Sequence, residues 1–277
     1  MSLDPSAHAA AGSSPPRGEP SPGGAERRYG RLYPVAKAIL RPSTRLLWRI
    51  KVDGLENIPT SGPAIISANH ISFLDSVFLI AVLPRRITFV GKAEYLDSWK
   101  TRYVFPNVGM IPIDRSGGSA SQSALEAAAE VLRRDELFGI YPEGTRSRTG
   151  LLYKGRTGVA RLALDTGAPI IPAGIVGTDR IQPPDARLPK LFQRCSLTFG
   201  KPIDPVRYLD RRHDPRAARL LTDEVMFELR ELTGQQYVDE YAGKPAGNDG
   251  RSGGSDAGAG AAGGHAAQPE AELTRAR

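Results

Sequence analysis

An α/β domain, built on a mixed, largely parallel sheet flanked by helices and preceded by a basic amphipathic helical segment, is the fold class this sequence predicts. Three observations carry that reading. From residue 49 to 241, short apolar runs alternate with amphipathic helical patterns, the rhythm of strand–helix–strand units. Residues 28–52 hold seven bases, Arg28, Arg31, Lys37, Arg41, Arg45, Arg49 and Lys51, and no acid. Residues 1–28 and 243–277 are rich in Ala, Gly, Ser and Pro and lack apolar periodicity, so each reads as a disordered tail. The chain thus divides into a tail at 1–28, a basic amphipathic segment at 29–52, one globular domain at 53–242 and a tail at 243–277.

The formal net charge is +7. Residues 1–28 hold three acids and three bases, and 243–277 hold four of each, so the whole excess lies between the tails. That excess points to an anionic partner: a membrane surface, a phosphorylated substrate or nucleic acid. One cysteine, Cys195, rules out an internal disulfide and fits a reducing compartment. No apolar run reaches the roughly 18 residues of a spanning helix. Residues 1–28 also lack the apolar core of a signal peptide, so none is expected.

The elements follow in order. Lys37, Arg41, Arg45 and Arg49 recur every four residues as one slowly drifting helical stripe. Pro34 and Pro42 predict that this segment breaks into short helices. Such a segment suits a membrane interface, with Leu46, Leu47 and Trp48 inserting; the alternative is a surface helix packed on the domain. Strands are expected at 49–52, 65–68, 87–90, 109–114, 137–141, 169–176 and 196–199. Helices are expected at 73–83, 119–134, 157–166, where Gly167 ends it, and 214–241, a long amphipathic closing helix. His70, Arg115 and Glu143 each follow a strand directly, so parallel neighbouring strands would gather them at one rim.

Of four histidines, His8 and His265 lie in the tails and His213 in a charged linker. His70 alone stands where a buried strand ends and a helix begins, the end of an open sheet at which ligands bind. Asp75 follows five residues later. Positions five apart on one helix are turned about 140° from each other. His70 therefore belongs to the loop and Asp75 to the first helical turn, from which it reaches back to one imidazole nitrogen and leaves the other to accept a proton. The plainer alternative makes Ser72 an N-cap and Asp75 the acid of a capping box.

The second unusual stretch is Tyr141-Pro142-Glu143-Gly144-Thr145-Arg146-Ser147-Arg148. Gly144 permits close backbone approach, Thr145 and Ser147 offer hydroxyls, and Arg146 offers a planar fork suited to phosphate. Glu143 either holds that arginine or accepts a hydrogen bond from a substrate hydroxyl. An exposed polar loop is the alternative.

Together these stretches resemble the glycerolipid acyltransferase family, the 1-acylglycerol-3-phosphate acyltransferases and their relatives. Asn69, His70 and Asp75 match N-H-x4-D. Gly109-Met110-Ile111-Pro112-Ile113-Asp114-Arg115 matches G-x-I-x-x-x-R. Pro142 to Ser147 match F-P-E-G-T-R-S, with Tyr141 in place of phenylalanine. Ile170-Ile171-Pro172-Ala173 resembles the family's apolar proline motif, and Lys92-Ala93-Glu94 its K-x-E. The likeness spans about residues 45–205.

The resemblance implies that His70 is the general base and that Asp75 orients it. It implies a substrate site of Arg115, Arg146, Lys92, Glu143, Gly144 and Thr145, with the two arginines on a phosphate. Backbone N–H groups near the helix start would stabilise the oxyanion. Acyl-CoA or acyl carrier protein would serve as co-substrate, with no cofactor and no metal. Lysophosphatidic acid would be converted to phosphatidic acid by a peripheral or monotopic protein on the cytoplasmic face of the cell membrane, with no nucleic-acid partner. Ile111 and Pro112 either line an acyl groove or belong to the core. Three rival readings stand beside this one. Residues 150–157 have phosphate-loop spacing, but arginine replaces the lysine and no strand directly precedes them. A non-catalytic membrane or nucleic-acid binder would use the basic segment, and a thioester hydrolase would use the same dyad on water.

Overall fold

A computed structural model describes residues 33–92, 110–113, 120–184 and 186–243. The tail readings lie outside the described residues, apart from Gly243. A single helix, α1 (Tyr33–Leu47), leads into strand β1 (Arg49–Asp53). The expected break does not occur: Pro42 lies inside α1. Pro34 occupies the first turn, where its missing N–H has no helical partner to lose. Pro42 does give up the bond to the carbonyl of Ala38, but the helix is pinned along its length. The Ile87 N–H donates to Tyr33 Oη at 3.2 Å, Lys37 Nζ donates to the Pro84 carbonyl at 3.1 Å, and Thr44 is buried.

After a 3-10 turn at Leu55–Asn57 come β2 (Ala64–Ala68), α2 (Leu74–Val82), β3 (Ile87–Lys92) and β4 (Met110–Ile113). The chain continues through α3 (Ala120–Arg133), β5 (Leu137–Ile140), β6 (Leu152–Tyr153), α4 (Gly158–Thr166) and β7 (Ile170–Val176). It closes with α5 (Thr178–Ile181), β8 (Arg194–Phe199), a 3-10 turn at Pro205–Arg211, α6 (Pro215–Thr233) and β9 (Tyr237–Val238).

Seven strands form one sheet in the order β1-β8-β7-β2-β5-β3-β4. Every pairing is parallel except β7 with β8. The alternation of β2 places its side chains on two faces. Ala64, Ile66 and Ala68 join Phe78 and Leu79 of α2, whereas Ile65 joins Val131 and Leu132 of α3 and Leu221 and Val225 of α6. Both faces of the central strands are therefore covered, which is why β2 and β7 read as apolar runs rather than alternating ones.

The closing helix ends eight residues earlier than its periodicity suggested. Asp214 caps its start, accepting from the Arg216 N–H, and Pro215 stands in its first turn. Gly234, at φ +67°, ends it in the left-handed conformation that caps helices. The residues beyond it run out to β9, which pairs in parallel with β6 in a separate two-stranded sheet.

Trp48 also departs from expectation. It is buried rather than available for insertion, with its ring 5.4 Å from that of Phe78 and its Nε1 donating to the Lys190 carbonyl at 2.7 Å. A ring that fills core space and satisfies its only donor there has nothing left for a bilayer.

Candidate active site

The junction between β2 and α2 carries the dyad. His70 Nδ1 lies 2.9 Å from Asp75 Oδ2, and Asp75 is wholly buried while the imidazole remains 17% exposed. The same Oδ2 accepts the N–H groups of Ile71 and Ser72, each at 2.8 Å. Oδ1 accepts from Thr178 Oγ1 at 2.6 Å. Two backbone N–H groups and a hydroxyl donate to this carboxyl, which is the acceptor in each of those bonds. Nδ1 then carries its hydrogen toward Asp75, which leaves Nε2 with the lone pair.

The capping-box reading of Asp75 holds only in part, because the helix N-cap is Phe73 and Ser72 Oγ accepts the Leu74 N–H rather than that of Asp75. One oxygen serves the imidazole and also reaches back to the Ser72 N–H, as the acid of a capping box does. This has a consequence for the oxyanion donors expected at the helix start. The N–H groups of Ile71, Ser72, Leu74 and Asp75 are already bonded, to Asp75, to Asp75, to Ser72 Oγ and to the Ser72 carbonyl. None of these four is available for an oxyanion.

The second cluster folds against the first because β5 is the parallel neighbour of β2. The loop after β5 holds the histidine backbone from both sides. The His70 N–H donates to Glu143 Oε1 at 3.0 Å, and the Ser147 N–H donates to the His70 carbonyl at 2.7 Å. Glu143 Oε2 accepts the Tyr153 N–H at 3.0 Å, so this buried carboxyl ties β2 to β6. Burial pushes its pKa up to about 7, against the lowering effect of those two N–H bonds.

Tyr141 completes the support. Its ring stacks on the imidazole with centroids 3.9 Å apart and planes 12° apart, and Phe89 stacks behind it at 5.9 Å. Tyr141 Oη and Ser76 Oγ share a hydrogen bond of 2.6 Å. Burial drives the phenol pKa well above its usual value, so it stays neutral beside the dyad.

The remaining expected residues fall as follows. Gly144 adopts φ +76°, and a Cβ there would come within 3.0 Å of Arg156 Nε. Thr145 and Arg146 are half-buried, and Arg146 makes no side-chain hydrogen bond or ion pair among the described residues. Lys92 ends β3, and its side chain lies outside the described residues, as does all of Arg115. Ile111 packs partly buried against the core beside α3. β4, which precedes Arg115 in the chain, lies three strands from β2, and the expected gathering of Arg115 with His70 and Glu143 falls outside the described residues.

Thr178 supports the dyad and was missed by sequence patterning, while Asn69 was matched in the N-H-x4-D motif without a structural role assigned to it. Asn69 brackets Ile175 of β7, donating to its carbonyl at 2.9 Å and accepting its N–H at 2.7 Å. Thr178 lies 103 residues from Asp75. No local period links them; the signal is only the parallel pairing of β2 with β7. Cys195 is buried and its thiol is pushed up to about 12, so it supplies no nucleophilic thiolate at neutral pH. Among the described residues no group of three His, Cys, Asp or Glu side chains is placed to hold a metal ion.

Known proteins are similar to this chain in sequence and in fold. The model of the Acyltransferase family matches residues 49–176. Over 150 residues the chain is 29% identical to a chloroplastic 1-acyl-sn-glycerol-3-phosphate acyltransferase of Arabidopsis thaliana, covering 54% of this chain and 42% of that one. It is 33% identical over 125 residues to the human 1-acyl-sn-glycerol-3-phosphate acyltransferase alpha, covering 45% and 44%. A Borreliella burgdorferi 1-acyl-sn-glycerol-3-phosphate acyltransferase is 31% identical over 131 residues, covering 47% and 52%. The chain thus spans about half the length of these relatives or less. Among solved structures, the 1-acyl-sn-glycerophosphate acyltransferase PlsC of Thermotoga maritima shares the fold, with a TM-score of 0.58, 24% identity and coverage of 76% of this chain and 82% of that one.

Proposed function

We propose, from the match of residues 49–176 to the Acyltransferase family model, that the chain moves a fatty acyl group from a thioester to the free hydroxyl of 1-acyl-sn-glycerol-3-phosphate, giving phosphatidic acid. The observation that carries this reading is the His70–Asp75 pair, with its carboxylate saturated by donors and its imidazole partly open to solvent. Nε2 of His70 takes the hydroxyl proton as that oxygen attacks the thioester carbonyl. The C–O bond forms, the tetrahedral intermediate collapses, the C–S bond breaks, and the imidazolium returns the proton to the departing thiolate. Asp75 stabilises the transient imidazolium. The inert Cys195 fits a direct transfer without an acyl-enzyme.

Arg146 supports a phosphorylated acceptor, as a half-buried arginine with no side-chain partner among the described residues, in the loop that braces His70. Arg115 and Lys92 are proposed to join it, and Gly144 and Thr145 to line the same loop. Glu143 acts through His70 instead, since both its oxygens are taken by backbone N–H groups. Acyl-CoA or acyl carrier protein is the proposed donor, and the protein is proposed to work at an anionic membrane surface as a peripheral protein. Among the described residues no helix is long and apolar enough to cross a membrane.

A panel of lysophospholipids offered to purified protein with one acyl-CoA tests the reading. Phosphatidic acid should form fastest, and His70→Ala should slow it by at least the roughly 10²–10⁴-fold of general base catalysis. Free fatty acid released at the same rate whatever the acceptor would identify a hydrolase instead.

A further inference from the structure

At the same rim as His70, on the β8–β1 side of the sheet, Arg45, Arg49, Lys51, Arg180 and Arg194 line one cavity of about 650 Å³. Three separate segments supply these cations: the end of α1 with β1, the short α5, and the start of β8. Lys51 is paired with Asp53 at 2.9 Å. The four arginines make no side-chain hydrogen bond or ion pair among the described residues. The cluster is built by close approach. Gly177 sits at φ +91°, and a Cβ there would meet the Arg194 carbonyl oxygen at 2.8 Å and Arg180 Nη2 at 3.0 Å. Glycine lets the α5 turn close on β8, which brings the two basic segments together.

These four guanidinium groups, without a side-chain partner among the described residues, repel one another, and a bound anion relieves that repulsion. Topology separates this anion from the acceptor phosphate. β8 lies two strands from β2 and β1 lies three, roughly 10 and 14 Å at ordinary strand spacing. Only two carbons and an ester oxygen separate the phosphorus of the acceptor from its reacting hydroxyl, too few to span that gap.

The neighbouring surface indicates the source of the anion. Leu46, Leu188 and Phe192 are 77%, 80% and 68% exposed. They flank the cavity, because the Phe192 N–H donates to the Leu47 carbonyl at 2.7 Å and Lys190 accepts from Trp48. Phe192 is held at φ +59°, a conformation bulky residues rarely adopt, with its ring in solvent. Cations rimmed by exposed apolar side chains suit a lipid headgroup above acyl chains.

We propose that this cavity is a second phosphate site, distinct from the acceptor site, which takes the headgroup of an anionic phospholipid in the membrane surface. It rests on the membrane association proposed above. The test uses full-length protein, vesicles of phosphatidylcholine with and without 20% phosphatidic acid, and Arg180→Gln/Arg194→Gln. A control pair, Arg216→Gln/Arg230→Gln, removes equal charge from exposed positions on α6. At about fivefold for each cation lost, the pocket pair should weaken binding to the anionic vesicles about 25-fold. It should leave the KM for acyl-CoA on detergent-dispersed acceptor unchanged, and the control pair should have a several-fold smaller effect on vesicle binding. Equal weakening by both pairs would reduce the cavity to diffuse charge and overturn the site, while vesicle binding by the native protein would leave the membrane reading intact. A raised KM for acyl-CoA with vesicle binding unchanged would assign the cavity to the nucleotide end of the donor. Failure of native protein to bind either vesicle would overturn both readings.

Discussion

Thr178 reaches the dyad from α5 and fills the one carboxylate oxygen that the histidine loop does not. Thr178→Val keeps the shape and removes the donor, so a wholly buried acceptor is left unsatisfied at a cost of about 1–3 kcal/mol. A positioning residue should lower kcat, here by about tenfold or more, with both KM values steady. Thr178→Ser should restore the rate; loss of stability with normal kcat would leave Thr178 a purely structural group. Glu143 gives a pH test. Its carboxyl is raised from 4.5 to about 7, so the native state binds a proton that the unfolded chain has released. Stability from this group is therefore fully present below about pH 4.5 and is lost as pH rises through about 7. The unfolding free energy of the native protein relative to Glu143→Gln should fall by about 3 kcal/mol across that window. A flat difference would show an ordinary carboxylate. The histidine and its aspartate were legible because five intervening steps fix a loop-to-helix geometry. Thr178 was not, because its contact depends on which strands become neighbours.

At the scale of elements, two glycines govern how α6 is placed, and they do so differently. Gly174, in β7, would put a Cβ 2.6 Å from Leu232 Cβ, so the helix crosses that strand without room for a methyl group. Gly234 has open space around its Cβ position but holds φ +67°. Gly174→Ala should therefore cost about 1–3 kcal/mol through overpacking, and Gly234→Ala about 1 kcal/mol through backbone strain. Denaturant unfolding of the two variants checks the ranking; Gly234→Ala as the worse of the two would mean that α6 shifts easily off β7. The strands of the main sheet were readable from their apolar runs, and α3, α4 and the start of α6 from their periodicity and caps. The pairing of Leu152 and Tyr153 with Tyr237 and Val238 was not, since two-residue strands have no period to detect. Pro42 misled for a related reason: its local cost is real, but the tertiary bonds of Tyr33 and Lys37 outweigh it.

At the scale of the molecule, the membrane association proposed above draws on two separable forces, the net charge of +7 and the exposed face of α1. Val35, Ile39 and Leu46, four and seven residues apart, share one side of the helix and are 56%, 60% and 77% exposed. Arg41, Arg45 and Arg49 are exposed beside them. The opposite side carries the buried Tyr33 and Thr44 and the half-buried Leu40, so α1 is docked on the domain by one face and leaves an apolar stripe on the other. Of the two sequence alternatives, the packed surface helix describes the docked face, and the interfacial reading remains a proposal that rests on the exposed one. Salt separates the forces, because screening at a Debye length of about 8 Å weakens the charge contribution and leaves apolar insertion largely intact. Changing Val35, Ile39 and Leu46 together to serine removes only exposed apolar surface, so the thermal midpoint should stay within a few degrees of the native one. Binding to anionic vesicles should then become steeply salt-sensitive, with most of the binding that the native protein retains at high salt lost. If the triple variant keeps that salt-resistant fraction, the stripe does not enter the bilayer, and the insertion must come from the Leu188–Phe192 side of the same rim.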